Sequence, residues 1–458
     1  MGQRHWMLGV LILLSVTATW GRLIQRFPTF PVGGMLPNGG KIWALLVAGS
    51  NGYYNYRHQA DVCHAYQILH RNGIPDENII VMMYDDIANS TENPTPNVII
   101  NRPNGPNVYK GVQIDYSGED VNATNFLAVL TGDKNAISGV GSERVIESGP
   151  KDHIFINFVD HGAPGFLCFP NDELHAKLLE STLESMAYSN KFSKMVFYVE
   201  ACESGSMFDA ILPDKDNIFV ITAADPRESS YACYYDKLRG TYLGDVFSVK
   251  WMEDSDKENL LLESLHHQFE VVRTETNTSH VEEYGDLDIG SLPVAYFQGY
   301  RQTVSFEEFL EANEIPPIVD AVSSRDVPLE ILKRQYESAV DKRTKRILEF
   351  KIKRMQKMRR HLDVTVSDIA SEIAQGDHER ASYLLASKSK LTYPKLDCYE
   401  TLVHYFSRKC FKLSENPHAL SKMQMLINIC SVPWASAPSA IKAMDVICIK
   451  ERHLTGIL

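Results

Sequence analysis

The segment KMVFYVEACESGS, residues 194–206, joins a nearly continuous apolar run to an abrupt break into small and polar residues. The run that ends at Cys202 is typical of a strand buried on both faces of a parallel sheet. Cys202 lies between Glu200 and Glu203, and negative neighbours raise the pKa of a thiol. A reactive Cys202 would therefore need a separate group that activates it.

Four further runs in the first half of the chain have the same Val-, Ile- and Phe-rich character: residues 41–49, 78–86, 153–162 and 217–225. Between the first two runs, Val62, Tyr66 and Leu69 follow the i, i+4, i+7 spacing of a helix. Gly73 then marks the end of this helix. Strands that alternate with helices in this way predict an α/β fold with a mostly parallel sheet flanked by helices.

The carboxyl ends of parallel strands meet at one edge of such a sheet, and functional groups gather there. The run 153–162 ends on VDHG, which places His161 at this edge, and the next buried run places Cys202 there. This arrangement predicts a catalytic dyad in which His161 activates the thiol of Cys202. Because Gly162 has no side chain, its backbone N–H can face a developing oxyanion together with the N–H of Cys202.

The composition excludes some classes of function. The formal net charge is −12 and the pI is about 5.7, which argues against a nucleic-acid-binding surface because phosphate neutralisation needs clustered Lys and Arg. With 458 residues, 44% of them hydrophobic, the chain is long enough for two or three domains of roughly 150 residues each.

The first residues, MGQRHWMLGVLILLSVTATWGR, place Arg4 before an apolar run from Trp6 to about Val16. This pattern predicts a secretory signal peptide, since the alternative, a membrane anchor, needs about 20 apolar residues. Sequons for N-linked glycosylation fit a lumenal protein. They begin at Asn89, Asn122 and Asn277.

The eight cysteines divide into two sets. In an oxidising compartment, four cysteines of the tail would form two disulfides, with three alternative pairings: Cys398, Cys410, Cys430 and Cys448. The other four are scattered through the first half: Cys63, Cys168, Cys202 and Cys233. No CxxC motif or Cys/His spacing typical of zinc recurs, so the sequence predicts neither a metal nor a cofactor.

After about Tyr300 the character of the sequence changes. Residues 311–328, EANEIPPIVDAVSSRDVP, contain paired prolines and no clear period, which predicts an exposed linker, and the pattern is helical from Leu329 onward. Residues 333–360 carry twelve Lys or Arg against three acids, so this stretch has a net charge of +9 and the rest of the chain −21. Such an imbalance fits either a solvated helix face or a charge-complementary partner within the chain.

Four segments resemble the signature segments of the legumain family, the asparaginyl endopeptidases: SNGYYNYRHQAD at 50–61, VDHGAPG at 159–165, YVEACESGSM at 198–207 and DPRESSYACYYD at 225–236. The resemblance runs through nearly the whole chain. It implies a caspase-like α/β fold and a helical C-terminal prodomain that covers the active site. It also implies a cysteine endopeptidase that cuts after Asn, and after Asp at acidic pH, with peptide ligation as a side activity of the same acyl-enzyme.

The resemblance assigns roles by motif position. Cys202 is the nucleophile, His161 the general base and acid, and Asn55 the group that orients the histidine. A carboxamide offers one acceptor and one donor group, and the specificity pocket for it is assigned to Arg57, His58, Glu200, Ser230 and Asp245. Asp160 matches a position that can carry a succinimide.

The resemblance also pairs the tail cysteines as Cys398–Cys430 and Cys410–Cys448. We expect five parts of the chain: a signal peptide (1–21), a short N-terminal propeptide or extension (22–39), a caspase-like protease domain (40–300), a linker and activation segment (301–345) and a helical prodomain (346–458). The predicted partners are protein and peptide substrates, the chain's own prodomain as an intramolecular inhibitor, and cystatin-type inhibitors, with no nucleic acid and no membrane anchor.

Control by pH is a further expectation. The zymogen would enter the secretory pathway, reach the lysosome or endosome or be secreted, and activate itself in acid. We expect the basic stretch 333–360 to hold the prodomain on the acidic rim of the protease until carboxylates become protonated. Candidate points of self-cleavage in and after the linker are Asn313, Asp320, Asp326 and Asp341.

Two other functions remain open at this point. A catalytic subunit of a GPI-anchor transamidase resembles the legumains in the same segments, but it would carry a membrane tail, and the end of this chain, DVICIKERHLTGIL, is short and charged. A non-catalytic binding protein could use the same fold as a scaffold. The intact Cys202, His161 and Asn55 weigh against that second alternative.

Overall fold

The computed structural model describes residues 34–214, 216–301 and 315–449. The predicted signal peptide, most of the predicted N-terminal extension and the candidate cleavage residue Asn313 lie outside these ranges. No helix in the described ranges combines the length and the apolar character that a membrane span needs.

The strands, numbered in chain order, are β1 Ile42–Ala48, β2 Ile79–Met83, β3 His153–Val159, β4 Gly162–Ala163, β5 Phe166–Cys168, β6 Glu173–His175, β7 Lys194–Glu200, β8 Ile218–Thr222, β9 Tyr231–Asp236, β10 Thr241–Asp245, β11 Glu282–Gly285 and β12 Val322–Ser323. The central sheet has the order β11-β8-β7-β3-β1-β2. Its strands are parallel except for β11, which is antiparallel to β8. The five predicted strands are confirmed, each somewhat shorter than its apolar run.

The helices are α1 Tyr56–Arg71, α2 Ala123–Thr131, α3 Ala176–Tyr188, α4 Val246–Lys257, α5 Leu265–Glu275, α6 Ala295–Gln298, α7 Val327–Ser338, α8 Lys342–Ile373, α9 His378–Ala386, α10 Leu396–Lys409, α11 Pro417–Leu420, α12 Gln424–Ile429 and α13 Ala437–Ile447. The predicted helix between the first two strands is α1. The predicted fold class, a mostly parallel sheet flanked by helices and followed by an all-α region, is confirmed.

Both faces of the central sheet are covered, which explains the continuous apolar runs. Successive residues of β3 alternate between two cores: Ile154 and Ile156 pack with α2 and α3 on one face, while Phe155 and Val159 pack with α1, α4 and α5 on the other. Helices α8 to α13 belong to the same core as α2 and α3. The C-terminal helices therefore share a hydrophobic core with one face of the sheet.

Two disulfides connect the C-terminal helices, Cys398–Cys430 and Cys410–Cys448. This is the pairing expected by resemblance, and it is confirmed. The four remaining cysteines are free and buried.

The prediction that residues 311–328 form an exposed linker is wrong for the C-terminal part of this segment. Ser324, Arg325 and Val327 are 2%, 8% and 0% exposed, and α7 begins at Val327. The reason is packing, because Val327 and Ile331 form a small apolar cluster with Ala232 and Tyr242 of the β9–β10 hairpin. The sequence showed no period here because only a strand of two residues, β12, and a short turn precede the helix.

The predicted glycosylation residues lie at different depths. Asn89 and Asn277 are exposed. Asn122 is half-buried, and its side chain caps α2 by accepting a hydrogen bond from the N–H of Asn125 at 2.8 Å. Glycosylation at all three sites stays a prediction.

Candidate active site

His161 and Cys202 leave the central sheet at the same edge. In the parallel pair β3 and β7, Val159 lies opposite Glu200, so His161 and Cys202 stand at matching positions two residues further on. A Cβ atom at Gly162 would lie only 2.5 Å from the carbonyl oxygen of Cys202. The close approach of these two loops therefore requires glycine at this position.

One hydrogen bond sets the orientation and the tautomer of His161. Its Nε2 lies 3.0 Å from Oδ1 of Asn55, and the Asn55 amide is fixed because its Nδ2 donates to the backbone oxygen of Asn51 at 3.0 Å. An amide oxygen only accepts, so Nε2 of His161 carries the proton. Nδ1 is buried and has no hydrogen-bond partner among the described residues, which leaves its lone pair available for a proton.

Burial keeps both reactive groups neutral in this conformation. It lowers the pKa of His161 well below its usual value, and the guanidinium groups of Arg57 and Arg325 lower that pKa further. Burial also raises the pKa of the Cys202 thiol, although the charge of Arg325 opposes this change. Because the thiolate and not the thiol is the nucleophile, the site is quiescent in this form of the chain.

A buried ion pair lies beside the thiol. Nε of Arg57 donates to Oδ1 of Asp245 at 2.8 Å, and neither side chain reaches solvent to any extent. Nε2 of His58 lies 3.6 Å from Oδ2 of Asp245. Ser230 connects this cluster to the thiol, because its Oγ lies 3.8 Å from Sγ of Cys202.

Two buried carboxylate oxygens of the cluster accept no hydrogen bond from the described residues. Glu200 accepts hydrogen bonds from the N–H and the hydroxyl of Ser248 through Oε2 at 3.0 and 3.1 Å. Its Oε1 and Oδ2 of Asp245 have no hydrogen-bond partner within the described part of the chain. With the donors of Arg57 nearby, the cluster can bind a group that offers both a donor and an acceptor.

Asp61 belongs to the same cluster and was missed from the sequence. It lies on α1 one turn after Arg57, and its Oδ2 accepts from the N–H of Asp245 at 3.2 Å. Burial raises the pKa of Asp61 well above its usual value, and the neighbouring carboxylates of Asp245 and Glu200 add to the rise. The i, i+4 spacing of an arginine and an aspartate on one helix was the signal available.

Asp160 is also buried beside the dyad. Neither of its carboxylate oxygens has a hydrogen-bond partner among residues that the structure describes, and burial raises its pKa well above the usual value. Its Oδ1 lies 3.4 Å from Nδ1 of His58, a nitrogen that also lies 2.6 Å from Oγ of Ser50. Succinimide formation at Asp160 stays a prediction.

The chain's own residues fill the space beside the thiol. β12 pairs with β9 as an antiparallel strand, and the N–H of the next residue, Ser324, donates to the backbone oxygen of Ser230 at 3.0 Å. The hydroxyl of Ser324 lies 3.4 Å both from Nη2 of Arg57 and from Oδ1 of Asp245. Sequence reasoning placed Ser324 in an exposed linker and gave no sign of this contact.

Arg325, the next residue, forms a buried ion pair with Glu203. Both of its terminal nitrogens bind the two carboxylate oxygens, with the Nη1 to Oε1 bond at 2.8 Å, and Nη2 also donates to the backbone oxygen of Gly162 at 3.1 Å. Arg359 of α8 in turn donates to the backbone oxygen of Arg325 at 2.9 Å and to Oδ1 of Asp326 at 2.5 Å. We call residues 322–326 the blocking segment.

Within the basic stretch 333–360, Arg359 holds the blocking segment as described above, but the expectation was wrong about other contacts of the stretch. Lys333, Arg334 and Lys353 form ion pairs with glutamates of their own helices, and Arg334 stacks on Tyr235 of β9 at 4.8 Å. Three ion pairs join the protease to the blocking segment or the C-terminal region through residues outside this stretch: Glu203 with Arg325, Asp209 with Lys390 and Lys177 with Asp397. The physical reason is that glutamates three or four residues away on α7 and α8 lie on the same helix face as these cations.

Comparison with known proteins agrees with this architecture. The model of the peptidase C13 family matches residues 42–300, and the model of the legumain prodomain matches residues 350–448. The chain belongs to the peptidase C13 family. Legumain of Mus musculus is 50% identical over 96% of this chain and 98% of its own length. Legumain of Homo sapiens is 49% identical over 90% and 94% respectively.

More distant C13 relatives carry other names. Hemoglobinase of Schistosoma japonicum is 43% identical over 86% of this chain and 90% of its own length, and the vacuolar-processing enzyme of Citrus sinensis is 41% identical over 86% and 82%. Caspase-1 from Spodoptera frugiperda aligns in structure over 61% of this chain and 97% of its own, with a TM-score of 0.34 and 9% identity. The two family matches and the identity to the legumains make the chain a C13 cysteine endopeptidase with a legumain-type prodomain.

Proposed function

We propose that this C13 peptidase cuts peptide bonds after Asn, and after Asp at low pH, with Cys202 as nucleophile. One observation carries the proposal: the buried Arg57 donors and the unused oxygens of Glu200 and Asp245 lie beside the thiol. The carboxamide oxygen of a substrate would accept from Arg57, and its NH₂ group would donate to the two carboxylates. A pocket of this kind can reject a side chain without these groups by roughly 10⁴.

The reaction follows from the tautomer of the histidine. Nδ1 of His161 takes the proton of the Cys202 thiol, and the sulfur attacks the main-chain carbonyl carbon of the substrate Asn. The N–H groups of Gly162 and Cys202 bind the oxyanion. His161 then gives the proton to the leaving amine as the C–N bond breaks, and water hydrolyses the thioester. An incoming amine in place of water would give ligation from the same acyl-enzyme.

Acceptance of Asp should depend on pH. A substrate aspartate has a reference pKa of about 3.9, and its protonated form is nearly isosteric with asparagine. In the ionised form it would face the carboxylates of Glu200 and Asp245, which repel it. Cleavage after Asp should therefore rise as the pH falls toward 4.

A series of matched peptides tests the specificity. Peptides that differ only in Asn, Asp, Leu or Lys before the cut are followed by kcat/KM between pH 4 and pH 7, with Cys202→Ala as the blank. We expect kcat/KM to be highest for the Asn peptide at every pH, and the value for the Asp peptide to approach it only in acid. Equal rates after Leu or Lys would refute this pocket, and activity in the blank above about a tenth of the wild-type rate would refute the nucleophile.

Activation is proposed to follow release of the blocking segment and cleavage in the loop between α7 and α8. Val340 in this loop is 97% exposed, which favours Asp341 as the cleavage residue among the candidates. Asp320 is less accessible because its carboxylate accepts from the N–H groups of Tyr234 and Tyr235 at 3.0 and 2.7 Å. The predicted domain boundaries 40–300, 301–345 and 346–458 are retained as proposals.

The remaining proposals concern the location of the protein in the cell and its inhibitors. A signal peptide, sequons at Asn89, Asn122 and Asn277, and the two disulfides of the tail support passage through the secretory pathway to the lysosome or the outside. Cystatin-type inhibitors would compete for the same active site.

The two alternatives differ from this proposal in measurable ways. A GPI-anchor transamidase is disfavoured because the C-terminal region matches a legumain prodomain. A non-catalytic binding protein on this fold is disfavoured because His161 and Asn55 are in hydrogen-bond contact. Turnover of a soluble Asn peptide by the acid-treated chain would exclude the binding protein.

A further inference from the structure

A cluster of three metal-ligating side chains lies outside the active site, between the protease and the C-terminal helices. His175 ends β6 just before α3, whereas Glu400 and His404 lie on α10. One potential ligand atom of each residue lies within 4.8 Å of the others. The rings of His175 and His404 are 4.7 Å apart, and Nε2 of His404 lies 3.5 Å from Oε1 of Glu400.

His175 has a buried nitrogen that nothing in its surroundings uses. The residue is 4% exposed, and its Nε2 has no hydrogen-bond partner among the described residues. An orphaned buried polar atom costs free energy and calls for an explanation. A neutral imidazole nitrogen with a free lone pair is the form that binds metals.

A cavity opens beside His404, the most exposed of the three side chains. This cavity of about 780 Å³ is lined by Glu173 and His404, among others, but not by His175 or Glu400. Two cations also line this cavity: Arg408, which stacks on Tyr405 at 5.4 Å, and Lys412, which pairs with Glu415 at 2.9 Å.

We propose that His175, Glu400 and His404 bind one divalent transition-metal ion, with Zn²⁺ as the best match, across the interface of the two parts of the chain. Two imidazole nitrogens, one carboxylate oxygen and one water form a typical donor set for zinc. Glu400 and His404 stand one helical turn apart and so present their ligand atoms on one face of α10.

Binding requires only small movements of the exposed ligands. Bond lengths of about 2.1 Å in a tetrahedral site place ligand atoms roughly 3.4 Å apart. The side chains of Glu400 and His404 are 33% and 56% exposed, so rotation about their side-chain bonds can close the gap to the fixed His175. The metal would then clamp α10 onto the protease and stabilise the assembled chain. The sequence spacing could not reveal this site, because His175 is far from the other two ligands along the chain.

Zinc titration of the full chain tests the proposal. Cys202→Ser is used throughout to prevent self-cleavage and to remove the reactive thiol as a competing ligand. We expect one zinc per chain by calorimetry, a rise of roughly 3 °C or more in the thermal midpoint at saturation, and absorption bands of a tetrahedral site when Co²⁺ replaces zinc. His404→Gln and Glu400→Gln should each weaken binding by about tenfold or more.

Matched controls locate the ion. His378→Gln changes an exposed histidine of α9 and should leave zinc binding unchanged. His280→Gln tests a second cluster, formed with Asp225 and Glu228, and should also have no effect. Unchanged binding in His404→Gln, or loss of binding in His280→Gln, would overturn the proposal. Zinc that still binds His175→Gln with full affinity would be held by α10 alone. This result would show that the ion does not connect α10 to the protease.

Discussion

Among the residues that the structure describes, His161 has a hydrogen-bond partner at one of its two ring nitrogens, and we expect this asymmetry to decide its chemistry. Nε2 faces Oδ1 of Asn55 at 3.0 Å, so the other nitrogen carries the lone pair. We therefore expect Asn55 to be a positioning residue that holds the ring and its tautomer.

Asn55→Ala should lower kcat by about tenfold or more with little change in KM. The ring would lose its acceptor and populate the unproductive tautomer, while the substrate pocket stays intact. Steady-state kinetics on an Asn peptide after acid activation measures both constants. An effect confined to KM would show that Asn55 contributes to binding and not to the orientation of His161.

Asp245→Asn should weaken cleavage after Asn by about tenfold or more and raise the ratio of Asp to Asn cleavage at pH 7. The change removes one acceptor for the carboxamide and one negative charge that repels a substrate carboxylate. The control is Asp288→Asn, an exposed residue far along the chain. An unchanged Asp-to-Asn ratio would mean that the charge of Asp245 does not set the preference.

Strand-end patterns predicted that His161 and Cys202 would lie together, and the structure places both at one edge of the sheet. The pocket residues were assigned by resemblance to the family, and their roles stay predictions. Sequence reasoning missed Ser324 and Arg325 for a physical reason. Their roles depend on contacts with Arg57 and Glu203, which are distant in sequence, and no local period marks them.

At the scale of elements, the blocking segment is a short strand and turn held from two sides. Glu203 of the protease binds the side chain of Arg325, and Arg359 of α8 binds its backbone. α11 packs against the same turn and carries His418. The turn therefore links the packing of α8 and α11 to the accessibility of the Cys202 thiol.

Arg325→Gln should increase reactivity of the thiol at pH 7 in the uncleaved chain by at least about tenfold. The variant leaves the buried carboxylate of Glu203 without its partner, and breaking a buried ion pair costs about 3–5 kcal/mol. The measurement is the rate of labelling by an electrophilic Asn peptide. The matched control replaces Lys342, Arg343, Lys345 and Arg346 with Gln, and an equal rise in that variant would restore the basic stretch as the main contact.

The pKa shift of Glu203 has the wrong sign to explain release of the segment in acid. Burial raises its pKa, although Arg325 opposes the rise, so protonation of Glu203 favours the buried state. The pKa shift of His418 has the required sign. Burial and the charges of Arg359 and Lys422 lower its pKa to about 4, and Asp363 only partly opposes this change. A lowered histidine pKa means that the closed form loses stability as the pH falls from about 6.5 toward 4.

His418→Asn should therefore move the midpoint of activation to lower pH. The neutral side chain cannot acquire a charge beside Arg359, so acid would open this contact less readily. Activation is followed by appearance of the cleaved chain across a pH series, with His378→Gln as the control. An unchanged midpoint would show that His418 does not contribute to release.

At the scale of the whole molecule, the C-terminal helices are part of the protein's core. Leu362 and Ile369 of α8 and Tyr399 of α10 share a hydrophobic cluster with α2 and α3. A Cβ atom at Gly165 would lie 2.5 Å from Cδ2 of Leu391, so the two parts are in close contact near the active site. Composition and periodicity predicted a sheet and a helical tail, but the surface that joins them has no signature in either segment alone.

The central claim is that residues 322–326 cover Cys202 in the intact chain. Labelling of the full chain at pH 7 with an electrophilic Asn peptide, located by mass spectrometry, tests it most directly. If the open form is about 1% populated, labelling should be about a hundredfold slower than after acid treatment and cleavage, and Cys202 should carry the label. Labelling of the intact chain at pH 7 as fast as that of the cleaved chain would contradict the account.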